Sequence, residues 1–221
     1  MKKSVLLLAA LCFVFAANAQ FSAGQKMIGG QVSMGYSRIE SSNSSVQKQH
    51  NFSAGLTPIF YRFKSKNKVN GYGLNYIYLR QKADIGTPGE ITYQNHLIGA
   101  FFSQTQLQPI AKNLYFILTG TVGANYQIQK NKSNVSAVAN DAKGFSLFLR
   151  GGIGLWYQLN QRFILTTQLN NLLSAEYGYT KTSSTNGTNT TSGSTNGFGF
   201  TTGLNGFSLN SLGIGVNYLL K

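Results

Sequence analysis

Few residues in this 221-residue sequence are of the types that carry out chemistry. There are two histidines, one cysteine and five acidic residues. A zinc site normally takes three or four ligands, so His50 and His96 are too few and too isolated to form one. Asp84, Glu90 and Asp141 fall in predicted loops, and no pair of carboxylates is fixed at a catalytic distance by the sequence alone. We therefore predict that the protein is not an enzyme and uses neither cofactor nor metal.

The elements that must position these residues are long alternating strands. Between Leu114 and Ile128 the even positions are mostly apolar, and the odd positions are mostly small or polar. Side chains alternate across a strand with period two, so this stretch has one oily face and one polar face. It is also longer than a typical strand of about 5–6 residues. The pattern recurs with uneven clarity in eight segments, at about 27–39, 52–63, 69–81, 94–107, 114–128, 145–158, 163–177 and 212–220.

The connections between these segments alternate in length. Short polar connections lie near 64–68, 108–113 and 160–161, and longer ones near 40–49, 83–93, 129–143 and 178–199. Outer-membrane barrels have short periplasmic turns and longer external loops. The order predicts an all-β fold, a closed eight-stranded antiparallel up-and-down transmembrane β-barrel. The interior of eight strands is just wide enough to be filled by side chains, which argues against an open pore.

The first 19 residues have the three parts of a secretory signal peptide. Lys2 and Lys3 form a basic end, residues 5–16 an apolar stretch, and residues 17–19 (Ala-Asn-Ala) a small-residue cleavage site. We predict that 1–19 is removed, together with Cys12, and that 20–221 forms the barrel domain in the cell outer membrane.

Two surface features have more than one interpretation. From Thr180 to Gly197 every residue except Lys181 is Thr, Ser, Asn or Gly. Such a stretch buries too little apolar area to offset its ordering entropy, so the loop at about 178–199 is predicted to be mobile. It is either a surface that recognises an external partner or a tolerant loop tip. The formal charge of +14 indicates either contact with phosphates of lipopolysaccharide and phospholipid or simple solvation of loops. Nucleic acid is not expected, because the sequence has no recognisable nucleic-acid motif.

Several residues are assigned structural roles in the predicted barrel. Arg150 is the one charge placed inside, and Asn125, Gln168 or Asn170 on neighbouring strands, or water, are expected to supply acceptors for it. A structural role is expected for Arg150, with ligand binding as the alternative. Aromatic rings favour the two membrane interfaces because an apolar ring meets lipid while a polar tip stays wet. The interface candidates are Tyr36, Tyr76, Tyr78, Tyr126, Trp156, Tyr157 and Tyr218.

Three short stretches carry a likeness to a known group. They are the junction Ala19-Gln20, the segment 58–63 (PIFYRF) before a lysine-rich turn, and the segment 71–76 (GYGLNY) after it. On these the chain resembles the small outer-membrane barrel proteins of Bacteroidetes-type bacteria, within the wider group of OmpX, OmpA barrels and opacity proteins. The resemblance covers essentially all of 20–221 and implies fold and location. Members of the group have varied or unknown roles.

The last strand is similar to the signal by which barrel assembly machinery recognises its substrates. Gly215 is followed by the hydrophobic residues Tyr218 and Leu220, although the chain ends in Leu220-Lys221 instead of an aromatic residue. The expected function is therefore an integral outer-membrane barrel with a structural, adhesive or envelope-interaction role and no open pore.

Three alternatives remain. The first is a barrel that assists secretion or envelope assembly. The second is a soluble lipocalin-like carrier, in which the oily face would point inward. The third is a lipid-modifying barrel enzyme using His50, Glu40 and the serines among residues 41–45.

Overall fold

The computed structural model describes residues 21–40, 48–84, 89–133, 138–186, 189–202 and 212–220. The predicted signal peptide lies outside these residues. Nine strands are present in the described part: β1 (Lys26–Glu40), β2 (Lys48–Ser65), β3 (Lys68–Asp84), β4 (Glu90–Ala111), β5 (Leu114–Ser133), β6 (Val138–Gln158), β7 (Phe163–Asn186), β8 (Asn189–Thr202) and β9 (Leu212–Leu220). No helix among the described residues is long and apolar enough to cross a membrane.

Eight of these strands close into a ring. Each strand from β1 to β7 pairs antiparallel with the next, β7 pairs with β9, and β9 pairs with β1. The all-β class and the closed eight-stranded antiparallel barrel are therefore confirmed. β9 pairs with β1 only over Lys26–Gly30. For the rest of β1, β2 is the one paired strand within the described ranges.

The strands run further into the long connections than the sequence pattern indicates. β3 and β4 stay paired up to Asp84 and Glu90, and β5 and β6 up to Asn131 and Asn140. The predicted loops at 83–93 and 129–143 were therefore too long. Polar residues replace apolar ones there, but the backbone groups still pair with the adjacent strand, so the ladder continues without an oily face.

The segment predicted as a loop at 178–199 needs the same correction. It forms most of a β-hairpin in which β7 pairs with β8 from Leu173 and Thr202 to the tip at Asn186 and Asn189. A Thr-, Ser-, Asn- and Gly-rich sequence makes this ladder because β7 is also held by β6 on its other side. The mobility of the segment stays a prediction.

The two faces of the strands point as the alternation predicts. On β5 Leu118, Val122 and Tyr126 are exposed on the outer surface, whereas Thr119 and Asn125 are buried inside. The same separation is seen on other strands of the ring, where the outward side chains of Val32, Leu74 and Leu149 are exposed. This arrangement is the reverse of a soluble lipocalin-type carrier, which would turn its apolar face inward.

The exposed apolar side chains form a band of limited height. On β5 the outward side chains from Phe116 to Tyr126 include no charge, and Lys130 and Lys132 follow above them. Those residues cover about 33 Å along a strand, or about 25 Å along the axis at the usual tilt of outer-membrane strands. The band has the height of the lipid-facing belt of an outer-membrane barrel.

A layer of apolar side chains fills the barrel at the end of the short turns. Each strand of the ring contributes one residue, and each is at most 3% exposed. We call this set the apolar layer: Met27, Phe63, Val69, Leu107, Ile117, Trp156, Ile164 and Leu219. Together these inward apolar residues close one end of the lumen.

The segment before β1 folds back over this layer. The Phe21 ring lies 4.6 Å from the ring of Phe63 and 5.1 Å from that of Tyr115. The Gly24 amide donates to the Phe63 carbonyl at 2.8 Å, and the Phe63 amide donates to the Gln25 carbonyl at 2.9 Å. Gly24 has φ of 86°, a conformation that side chains disfavour, so a glycine suits this turn.

Candidate functional site in the barrel lumen

A cavity of about 300 Å³ lies inside the barrel, directly above the apolar layer. On β2 its lining residues Ile59 and Tyr61 come immediately before Phe63 of the layer, and on β5 the lining residue Thr119 follows Ile117. The apolar layer therefore separates the cavity from the short-turn end. The lumen is therefore closed at the short-turn end.

The lining of the cavity is mostly uncharged and hydrogen-bonding. Short hydroxyl side chains come from four strands of the wall, as Ser33, Thr57, Ser103, Thr105, Thr119 and Thr121. Amides are added by Gln31, Asn75 and Gln168, and apolar surface by Ile59, Ile77, Phe101, Phe148 and Trp156. Arg150 is the one charged side chain in the lining of this cavity. The chemistry available is hydrogen bonding around a single cation.

Arg150 is placed inside the barrel, as the alternation on β6 predicts. Its Cζ atom lies 4.1 Å from the centroid of the Phe148 ring, which is within cation–π range. Its Nη2 atom lies 3.5 Å from Glu176 Oε2, at the long limit of a hydrogen bond. Its Nε atom is buried, and no acceptor for it is found among the described residues.

The carboxylate partner of Arg150 was missed by sequence reasoning. The alternation ends the seventh segment at about 177 and so puts Glu176 at a strand end, whereas β7 continues to Asn186, and Glu176 lies inside the barrel. β7 carries a bulge where the register jumps from Gly151–Leu173 to Ile153–Leu169. Counting alternation through the bulge would have found Glu176, because it keeps the same inward parity as Gln168.

The three acceptors predicted for Arg150 have other surroundings. Asn125 is buried, and its Oδ1 accepts a hydrogen bond of 3.2 Å from Asn75 Nδ2, which joins β5 to β3 across Gly99. Gln168 lines the cavity together with Arg150. Asn170 belongs to β7, but its side chain lies outside the described part of the structure. Among these residues, the recorded polar partner of Arg150 is Glu176 and none of the three.

Most predicted interface aromatics lie on the outer surface. Tyr157 and Tyr218 belong to the short-turn half of the barrel, Tyr76 lies at the middle of β3, and Tyr36, Tyr78 and Tyr126 lie nearer the long connections. The outward tyrosines are Tyr36, Tyr76, Tyr78, Tyr126, Tyr157 and Tyr218, of which Tyr78 and Tyr157 are half-buried. Their contact with membrane interfaces stays a prediction.

The placement of Trp156 at an interface is wrong. Trp156 is 2% exposed and belongs to the apolar layer, where its ring meets Tyr61 edge-on at 5.8 Å. It shares the inward parity of Gly152 and Gly154 on β6, so its indole points into the lumen. The residue type predicted an interface position, but the position of Trp156 in the alternation of β6 determines that its side chain points inward.

Both histidines are on the outward face and are bonded to tyrosines. Tyr36 Oη lies 2.9 Å from His50 Nδ1, and Tyr76 Oη lies 3.0 Å from His96 Nδ1. Glu40 pairs with Arg38, and residues 41–45 lie outside the described ones. In the described chain no group of three or more His, Cys, Asp or Glu side chains is placed to hold a metal ion. The alternative site of His50, Glu40 and serines is not assembled by the residues described.

The proposed assembly residues all belong to β9. Gly215 is buried against β1 and β7, Tyr218 points outward, and Leu220 is half-buried. β9 is the strand that closes the ring between β7 and β1, so these residues lie at the closing seam. Their recognition by assembly machinery stays a prediction.

Comparisons with known proteins give matches among solved structures only. No protein family matches the sequence, and no curated protein matches it. Among solved structures, the chain is similar to the outer membrane protein OprG from Pseudomonas aeruginosa. The TM-score is 0.47 at 14% identity, and the match covers 92% of this chain and 99% of OprG.

Proposed function

We propose that this protein is an integral outer-membrane β-barrel without an open pore, with a structural, adhesive or envelope-interaction role. The observation that carries the proposal is the closed ring with its apolar band outside and its polar cavity inside. Strands cross hydrocarbon only as a closed barrel, because every backbone group must be paired there. A water-soluble protein rarely exposes an apolar surface of this extent.

The apolar layer supports the absence of a pore. Eight inward side chains, one from each strand of the ring, fill the lumen beside the short turns. Phe21, which precedes β1 and is also buried, stacks on Phe63 of this layer. Ions crossing the barrel would have to pass through an apolar layer in which each side chain is at most 3% exposed.

The distribution of charge supports contact with lipid phosphates. At the short-turn end the described residues carry exposed basic side chains and no acidic ones. We call this set the short-turn rim: Lys26, Arg62, Lys64, Lys66, Lys68, Lys112 and Arg162. The five acidic residues all lie nearer the long connections. A basic rim beside the apolar band suits the phosphates of anionic head groups.

The likeness to Bacteroidetes-type barrels, export by the signal peptide and recognition of β9 by assembly machinery belong to the same proposal. The long-connection end then faces the exterior, and the β7–β8 hairpin is available there to an external partner. A role in secretion or envelope assembly is compatible with this architecture, but no described residue favours it over an adhesive or structural role.

Fractionation of cells expressing the full chain tests the proposal. We expect the protein in the outer-membrane fraction, soluble only with surfactant, and migrating faster on a gel before heating than after it. Reconstituted in a planar bilayer, it should give no steady conductance. Recovery of a folded, monodisperse protein in plain buffer would contradict the membrane location, and steady ion conductance would contradict the closed lumen.

A further inference from the structure

We propose that the lumen cavity is a binding site for a small organic carboxylate, with Arg150 as the anion-binding group. A guanidinium has five N–H donors. Glu176 at 3.5 Å is the one hydrogen-bond acceptor found for Arg150 among the described residues, so most of these donors have no acceptor in that part of the chain. An under-used cation in a concave site is suited to an anionic ligand.

The surroundings of Arg150 fix the position of its guanidinium. Phe148, two residues earlier on the same face of β6, lies under the guanidinium at 4.1 Å. The Phe148 ring occupies a notch at Gly123, where an added Cβ would lie 2.5 Å from the ring. Arg150 is thus held over an aromatic face, and one third of its side-chain surface remains accessible in the lumen.

The remainder of the cavity favours a ligand with a carbon body and one acidic group. Ile59, Phe101 and Trp156 provide apolar wall, whereas Ser103 and Thr121 offer hydroxyl groups. With a single cation in the lining, a carboxylate suits the site better than a multiply charged phosphate does. The apolar layer closes the short-turn end, which leaves the long-connection side as the route of entry.

Glu176 acts in this site as a competing internal anion. Its long contact with Arg150 keeps the empty site from holding an uncompensated cation in the lumen. A bound carboxylate has to compete with Glu176 for the same guanidinium. Removal of the Glu176 charge should therefore strengthen ligand binding, an effect that a purely structural ion pair would not give.

Fluorescence of Trp156 offers a direct measurement, because it is the one tryptophan in the chain and it lines the cavity. The full chain in a non-ionic polyoxyethylene detergent is titrated with hexanoate, with its neutral analogue hexanamide and with methyl glucoside. We expect a saturable change with hexanoate and about tenfold weaker binding of hexanamide, since the amide keeps one acceptor oxygen but lacks the negative charge and the second oxygen that pair with a guanidinium.

Two variants are expected to change the affinity for hexanoate in opposite directions. Arg150→Gln should weaken hexanoate binding about tenfold, and Glu176→Gln should strengthen it. Arg162→Gln on the short-turn rim is the matched control and should leave binding unchanged. Each variant is first checked for the mobility shift of a folded barrel; if Arg150→Gln does not fold, Glu176→Gln decides.

Any one of four results would contradict the proposal of a carboxylate-binding site. They are no saturable response to hexanoate, equal binding of hexanoate and hexanamide, binding of methyl glucoside alone, and hexanoate affinity unchanged or weakened in Glu176→Gln. The titration needs no membrane, so its failure is distinguishable from failure of the outer-membrane proposal.

Discussion

Phe63→Ala is expected to lower the stability of the barrel by a large amount. Phe63 is 1% exposed and packs against Phe21 and Trp156 in the apolar layer. Truncation of a buried Phe to Ala typically costs about 3–5 kcal/mol. For a domain of this size that corresponds to a fall of roughly 10 °C in the unfolding temperature. The measurement is the temperature at which the detergent-solubilised barrel loses its folded gel mobility.

Phe200→Ala is the matched control for this substitution. Phe200 belongs to β8, outside the eight-stranded ring, and is 63% exposed. The same change of side chain there should leave the unfolding temperature almost unchanged. Equal shifts for the two variants would mean that the apolar layer does not stabilise the closed end.

Gly154→Ala is expected to give the second large effect. A Cβ at Gly154 would overlap the carbonyl oxygen of Thr167 and would lie 2.8 Å from the Cα of Gln168. These are main-chain atoms of β7, which cannot rotate away as a side chain does. Overpacking of this kind costs about 1–3 kcal/mol. We expect a lower unfolding temperature and, since Gln168 lines the cavity, an altered Trp156 emission.

Gly120→Ala tests whether the loss of stability in Gly154→Ala comes from the contact of the added Cβ with β7. Gly120 lies on β5, and a Cβ built there meets nothing within 4 Å. Both substitutions remove the same backbone freedom of a strand glycine, so the difference between them isolates the clash with β7. An unfolding temperature as low in Gly120→Ala as in Gly154→Ala would refute the close approach of β7.

The fold could be predicted from the sequence because alternation and connection length are local signals. On β5 the outward Leu118 and the inward Thr119 follow directly from period two. The β7–β8 hairpin could not be predicted in this way. Its residues between Tyr179 and Phe198 have no apolar face, and they are ordered into strands by pairing with β6 and with each other, which is a tertiary effect.

The candidate site was only partly predictable. Arg150 was found because a charge on a polar strand face is conspicuous, but its partner Glu176 was assigned to a strand end because the apolar alternation stops near residue 177, whereas β7 continues to Asn186. Trp156 was misplaced because residue type was given more weight than parity. The apolar layer carried a usable signal: each strand has one inward apolar residue near its short turn, as Phe63 and Val69 have on either side of one turn.

Tryptophan quenching by brominated phospholipids tests most directly that the apolar faces meet lipid and the polar faces enclose the lumen. In vesicles containing these lipids, native Trp156 in the apolar layer should be quenched weakly. A single tryptophan placed by Leu118→Trp in a Trp156→Phe background should be quenched strongly, because position 118 is 56% exposed at the outward band. Strong quenching of Trp156, or equal quenching at both positions, would contradict this arrangement of the two faces.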